Sequence, residues 1–410
     1  MTIEASIPTG AAAAASTPLV ERFRALFDEL GAEAPRRERE RRLPHAEVAR
    51  LRDAGFTRVT LPIEHGGEGV SHAEFFDLLA ELARRDPNLA QLYRSHFSFV
   101  DRTALAPPSA ERDARLRLVA DGLVIGNASH ERTAAKVGSL STKLARGADG
   151  RLRLDGTKHY STGALFADIV SVAAEDEDGQ HVGVLVRGDA PGVDRIDDWN
   201  GFGQRLTGSG TTVFDAVEVD ERAVVRFGER RPSHGSAYVQ LVLLAVVAGI
   251  GRTVLDDAVR FVRARTRVYS HGSGPSAAGD PIVQEVVGEL DAASFAADAA
   301  VARVAAGLDA STAAQLGGAA DEELRTIVER LDAETARAQL VVLPNVLDAS
   351  TKLFEVGGAS ATDADLALDR HWRNARTVAS HNPARYKARA LGELRLAGTP
   401  VAGWWSTGEG

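Results

Sequence analysis

The feature that most constrains this chain is that its hydrophobic residues change period twice. From 18 to about 100 they recur at helical spacing, as in Leu19, Phe23, Leu26, Phe27 and Leu30. Between about 121 and 226 they fall into short runs, such as Ile169 to Ala173, Val182 to Val186 and Val213 to Val219. Turn-forming phrases (GADG, DGTK, DEDG, NGFG) separate these runs. From about 235 to 393 helical spacing returns. Side chains alternate every two residues along a strand and recur every 3.6 along a helix, so one pattern cannot serve both. The chain must therefore be α+β in three parts. The expected divisions are a disordered leader over 1–17, an N-terminal helical domain over 18–120 and a middle β domain over 121–228. A C-terminal four-helix bundle over 229–395 and a tail over 396–410 follow.

Local signals punctuate these parts. Thr17-Pro18 and Asp280-Pro281 read as helix starts, and Ser71 with Glu74 reads as a capping box. Gly55 and Gly357-Gly358 read as helix stops, Pro344 as a kink and Pro383 as an interruption.

Composition removes whole classes of function. A net charge of −9 with no basic stripe argues against nucleic acid. The longest apolar run, Leu241 to Ile250, is half of what a membrane span needs, and no basic region precedes an apolar stretch near Met1. A cytoplasmic protein is expected. There is no Cys, and the one Met is Met1, which excludes disulfides, thiolate metal sites and a Cys nucleophile. Compositional drift, resistance to oxidation and economy of sulfur each account for the missing sulfur. The Rossmann fingerprint, the Walker loop, HExxH and GxSxG are all absent, and no metal-ligand spacing occurs. A nicotinamide enzyme is not expected, and no metal is assigned.

Three polar runs remain. Two close β-runs: Gly126-Asn127-Ala128-Ser129-His130-Glu131 and Lys158-His159-Tyr160-Ser161-Thr162-Gly163. The third, LDRHWRNARTVASHNP from Leu368 to Pro383, gathers Arg, His, Trp and Asn near the end of the helical region and reads as a lid or as a solvated helix. His96 sits among aromatics, where the bland reading is a satisfied core histidine. His371 reads as structural, pairing within its own Arg-rich helix. Trp199 and Trp372 read as core or pocket wall.

Taken together these phrases resemble the acyl-CoA dehydrogenase fold, over nearly all of 45 to 393. LPIEHGGEG (Leu61 to Gly69) is similar to that family's Pro-x-x-x-Gly-Gly-x-Gly loop, and DGTKHYSTG to its flavin-side strand. PGV at 191–193 and FGQRLTGSGTTVFDAVEV at 202–219 resemble the rest of its β domain. FEVGGAS followed by DRHWRNAR resembles its Gly-Gly loop and next helix. The resemblance implies a helical domain, a middle β-barrel domain and a four-helix bundle, assembled as a homotetramer.

The departures redirect the function. A dehydrogenase of this fold needs a carboxylate to take the α-proton. The corresponding phrase here, Val378-Ala379-Ser380-His381-Asn382-Pro383, has none, and neither has Gly249-Ile250-Gly251. The phrases WRNART…HNP, GN-x-S-x-E, TRVY and GDPIVQ-x-x-x-G resemble instead the flavin-dependent monooxygenase branch. That branch takes in dibenzothiophene monooxygenases, sulfur-acquisition oxidoreductases and amine and amino-sugar N-oxygenases. It implies reduced FMN (rather than FAD) supplied by a separate NAD(P)H-dependent flavin reductase, O₂ as co-substrate, and a C4a-(hydro)peroxyflavin that oxygenates a small organosulfur compound. An N-hydroxylase of an amine or amino sugar and a dehydrogenase with a displaced base are the alternatives. By the same resemblance, Asn127 and Ser161 lie against the flavin ring with Ser129 and Thr162 nearby, Ser161 hydrogen-bonds near N5 and steadies the peroxide, and His96 and His381 face the peroxide and substrate. Arg267 grips the flavin phosphate, and Gly357 and Gly358 let a neighbouring subunit's phosphate approach the backbone. Dibenzothiophene monooxygenases carry a second His where Val378 stands, so the substrate stays open.

Overall fold

The computed structural model describes residues 18–132, 139–226, 231–268 and 270–404. The expected leader, the Thr17 cap and residues 405–410 of the tail lie outside the described residues.

The N-terminal part consists of α1 (Pro18–Ala32), α2 (Ala34–Glu40), α3 (His45–Asp53), α4 (His72–Arg85), α5 (Pro87–Leu92), α6 (Arg94–Ala104) and α7 (Ala110–Ala120). Its local signals act as read. Ser71 accepts from the Glu74 backbone N–H while Glu74 caps back, so the box is closed at the start of α4. The Asp86 carboxylate accepts from the backbone of Asn88 and Leu89, and Pro87 takes the first turn of α5.

The middle part is a sheet of β1 (Ile125–Ala128), β2 (Lys143–Arg146), β3 (Leu152–Lys158), β4 (Ile169–Glu175), β5 (His181–Arg187), β6 (Val193–Ile196), β7 (Thr211–Val219) and β8 (Val224–Arg226). The ladder runs β6-β7-β3-β2-β4-β5-β8, with β1 parallel to β4. β2 meets β4 at one residue pair, Lys143 with Glu175, so the sheet curls there rather than continuing flat. One face closes on Leu144, Leu154, Val170, Val172, Val184, Phe214 and Val217. β2 and β6 carry too few apolar residues to have stood out in sequence.

The C-terminal part is α8 (Gly235–Ala264), α9 (Pro281–Leu316), α10 (Asp321–Lys352), α11 (Asp369–Ala379) and α12 (Ala384–Ala397). α8 is the hub: α4 packs on one side and α9, α10 and α11 on the others. By length and composition α8 would pass for a membrane span, but 78% of its most apolar window is buried inside the protein. A Cβ at Gly249 would stand 2.4 Å from the Ala80 carbonyl oxygen, so only glycine permits this crossing of α8 with α4. Pro383 parts α11 from α12, as its sequence position predicts. Helical ends around a curled sheet are the expected three-part architecture.

The seam between the parts runs through α11. The Asn374 side chain accepts from the Gln204 backbone N–H (2.6 Å) and donates to Glu38 (2.8 Å). His371 Nε2 donates to Asp257 of α8 at 2.7 Å, so its partner lies across the bundle and not within its own helix. Burial pushes the His371 imidazole down to about 4, and it is neutral at pH 7. The stretch first read as a lid is therefore a joint between all three parts, and its far end forms a wall.

Candidate active site

Where the three parts meet lies a cavity of about 1080 Å³. That is the upper end of the roughly 300–1,000 Å³ usual for small-molecule sites, with room for a cofactor and a second molecule. The curled sheet and its loops supply Asn127, Ser129, His130, Tyr160, Thr162 and Trp199. α6 supplies Arg94, Ser95, Ser98, Phe99 and Arg102, and the turn after α11 supplies Ser380 to Pro383.

The sheet end is a cluster of small hydrogen-bonding groups. Ser129 Oγ donates to Asn127 Oδ1 at 2.7 Å, which fixes the amide. Thr162 Oγ1 pairs with Ser209 Oγ (2.8 Å), and Ser209 pairs with Thr207 (2.7 Å). Tyr160 has φ +58°, a left-handed backbone that turns the chain sharply between β3 and Ser161. Ser161 itself is buried, and among the described residues its hydroxyl has no hydrogen-bond partner. A buried hydroxyl without a partner costs free energy, so this orphan beside the cavity fits a ligand that supplies the missing bond. Below this cluster the buried Lys158 ammonium pairs with Glu131, whose carboxylate also accepts from the Ser141 and Thr142 backbone. Burial would raise the Glu131 pKa, but the hydrogen bonds from Lys158, Ser141 and Thr142 hold it well below the usual carboxylate range.

The opposite wall ends in His381. Its neighbour Asn382 is clamped from both sides: Asn382 Nδ2 donates to Gln240 Oε1 of α8 (2.6 Å), and Gln339 Nε2 of α10 donates to the Asn382 carbonyl (2.9 Å). The His381 ring is exposed to the cavity. Desolvation first and the Arg94 charge second push its pKa down to about 3, a hydrogen bond with Asn382 opposes them, and His130 adds the smallest push. The ring is a neutral hydrogen-bonding group at pH 7. Trp199 and Phe202 wall the cavity, and Trp372 stacks on Phe202 (centroids 5.9 Å apart) while itself 39% exposed. Trp372 is thus a backing to the wall and not a core residue.

His96 does not join the site. It is fully buried, its Nε2 donates to the Thr57 carbonyl (2.8 Å) and its Nδ1 accepts from the Ile125 N–H (3.2 Å). With both nitrogens spent on backbone it ties α6 to β1, so its assignment to catalysis is corrected to a core histidine. Helix phase is the reason. Residues 94, 95, 98, 99 and 102 share one face of α6, and 96 lies off that face. The polar stripe Gln91, Arg94, Ser95, Ser98, Arg102 at helical spacing was the signal that sequence reading missed.

Arg267, Gly357 and Gly358 do not line this cavity. Arg265 Nη1 donates to the Val356 carbonyl (3.0 Å), which brings their two segments side by side elsewhere. The glycines have local reasons: a Cβ at Gly357 would stand 2.5 Å from Phe261, and Gly358 has φ +55°. Sequence reading also missed Asp332. This is the one carboxylate among the described residues lining the cavity; Ser236 Oγ donates to it at 2.7 Å and burial raises its pKa.

A hydroxyl-and-amide cluster, an imidazole and aromatic walls thus line one cavity with room for a cofactor and a small substrate. Family models place the chain. Those for the N-terminal, middle and C-terminal domains of acyl-CoA dehydrogenase match residues 16–111, 128–217 and 241–386. The chain belongs to the acyl-CoA dehydrogenase family. It is 30% identical over 411 residues to the dibenzothiophene monooxygenase of Rhodococcus erythropolis, covering 93% of this chain and 94% of that protein. The methanesulfinate monooxygenase MsuC of Pseudomonas fluorescens superposes with a TM-score of 0.84 at 28% identity, covering 95% and 99%. FMN-bound TdsC from Paenibacillus sp. A11-2 superposes at 0.83 with 26% identity, covering 94% and 98%.

Proposed function

We propose that this chain is a two-component monooxygenase that takes reduced FMN from a separate NAD(P)H-dependent reductase, together with O₂, and oxygenates a small organosulfur compound. The observation that carries the reading is His381. Where a dehydrogenase of this fold places its carboxylate base, this chain presents an imidazole, clamped through Asn382 and neutral at working pH. The similarity to sulfur-oxygenating relatives supports the organosulfur class over an amine, and the FMN of TdsC supports the cofactor.

The reduced flavin, when bound, supplies the electrons that activate O₂, so that one oxygen atom reaches the substrate and the other leaves as water. The protein's part is positional. Ser161 Oγ, with no partner among the described residues, would donate to the flavin, and Asn127, Ser129 and Thr162 would help hold it. His381 would offer a hydrogen bond to the oxygen being transferred and keep water from it. It would do so as a neutral donor or acceptor, because its pKa lies well below 7. Tyr160, Trp199 and Phe202 exclude solvent from the same space. In a cytoplasmic homotetramer Arg267 and the Gly357-Gly358 turn serve a flavin phosphate in a neighbouring copy, since they stand away from the cavity of their own.

The test supplies the protein with reduced FMN and then O₂, and measures how much oxygen appears in an organosulfur product and how much as hydrogen peroxide. His381→Ala is expected to raise the peroxide share severalfold with FMN affinity kept. A peroxide share that does not move in His381→Ala removes its assigned role. If an acyl-CoA bleaches the bound FMN anaerobically, a dehydrogenase with a displaced base is the right reading, and Asp332 is its candidate base.

A further inference from the structure

The cavity is lined by a buried cation that no described residue neutralises. Arg94 opens α6 and is 8% exposed. Among the described residues its side chain makes no ion pair and no hydrogen bond, and its Nε is buried without a partner. By contrast buried Arg37 meets Asp86 (2.7 Å) and Glu47 (3.4 Å), and half-buried Arg252 meets Asp77, Glu81 and Asp298. A buried guanidinium left unpaired is strongly unfavourable, and the usual remedy is a carboxylate. Here the one cavity-lining carboxylate, Asp332, is engaged with Ser236, and Lys387 faces it. Burial lowers the Arg94 pKa to about 10, which leaves it charged at pH 7.

We propose that Arg94 is the anchor for an anionic head on the substrate, which makes the substrate a small organosulfur oxyanion bearing a sulfinate, sulfonate or carboxylate group. This rests on the monooxygenase reading and narrows it. The guanidinium fork presents paired N–H groups that match two oxygens of such an anion. Gln91, Ser95 and Ser98 line the cavity on the same helical stripe and offer further bonds to it. Arg94, His130 and His381 line the same cavity, and the Arg94 charge is among the causes that lower the His381 pKa. His381 is held neutral there, so it adds no second fixed charge. A neutral aromatic thioether would leave the Arg94 charge unmet, whereas an oxyanion would satisfy it.

The same chemistry is carried by the flavin phosphate, and the experiment separates the two. Protein loaded with oxidised FMN is titrated with methanesulfinate, benzenesulfinate and the neutral dimethyl sulfone, for wild type, Arg94→Met and Arg94→Lys. FMN and riboflavin affinities are measured for each. A charge-assisted pair predicts that Arg94→Met weakens sulfinate binding about tenfold to a hundredfold. Arg94→Lys should fall between, and sulfone and FMN affinities should stay within about twofold in all three, which also shows that the variants fold. The proposal is overturned if wild type binds neither sulfinate, if it binds sulfinate and sulfone alike, or if Arg94→Met keeps its sulfinate affinity. It is overturned too if Arg94→Met loses its preference for FMN over riboflavin with sulfinate binding intact, which assigns Arg94 to the phosphate. Failure of wild type to bind any flavin would sink the monooxygenase reading instead. The flavin-free titration would still decide whether Arg94 holds an anion.

Discussion

The clasp between α4 and the bundle gives a pH dependence that can be worked from distances. His72 stands in the first turn of α4, with Nδ1 2.8 Å from Asp309 of α9 and Nε2 2.9 Å from Asp101 of α6. The backbone N–H groups of His72 and Ala73 also donate to Asp309, at 2.7 and 3.1 Å, so an anion caps this helix start. Burial alone would push the His72 imidazolium down. The hydrogen bonds and charges of the two carboxylates outweigh it and raise the pKa from the ordinary 6.5 to about 9. A tenfold change is about 1.4 kcal/mol, so this gap corresponds to about 3 kcal/mol of stability. Asp309 is one-third exposed and solvent screens its share, which brings the expectation to about 2 kcal/mol. The sign follows from the folded pKa lying above the unfolded one. The contribution is full below pH 6.5, declines from there to 9, and is gone above. The assay is urea unfolding of wild type and His72→Gln at intervals from pH 6 to 10. The difference between the two should be largest near pH 6 and shrink by about 2 kcal/mol by pH 9.5. Parallel curves across that window would refute a charged His72 bridge, and with it the assignment of this cluster as a clasp.

Three further outcomes are expected. Ser161→Ala removes a buried hydroxyl that has no internal partner, so apoprotein stability should change by less than about 1 kcal/mol while FMN affinity falls; a large loss of apoprotein stability in thermal melts would contradict the orphan assignment. Asp257→Asn strips the buried anion that meets His371 at 2.7 Å and Arg370 at 3.2 Å and should cost about 3 kcal/mol in chemical unfolding, with the α11 joint the first region to exchange amide hydrogens. Gly203→Ala places a Cβ 2.1 Å from the Arg373 carbonyl oxygen and should part the sheet from α11, seen as lowered stability together with weakened FMN binding; a silent substitution would show that the seam is slack.

The three-part fold was legible because its information is local. Helical spacing in 18–100 and 235–393, alternating runs between them, a capping box at Ser71 and a break at Pro383 are written in neighbours along the chain. β2 and β6 were not legible, since KLAR and VDRI take their strand character from the partners they pair with rather than from their own residues. Family phrases supplied the polar runs, and tertiary structure sorted them. It brought Asn127, Ser129, Thr162 and His381 to one cavity with Ser161 beside it, left Arg267, Gly357 and Gly358 elsewhere, and withdrew His96. The phase of a helix in space decided between His96 and Arg94, two residues apart on α6. Aromatic neighbours drew attention to the histidine, but only packing against β1 shows that its nitrogens are taken. The sequence alone determined which side chains exist and where the chain can bend, including the absent carboxylate between Val378 and Pro383. Which of those side chains face the cavity, and which charges meet a partner there, depends on contacts between residues hundreds of positions apart, and only the tertiary structure could decide it.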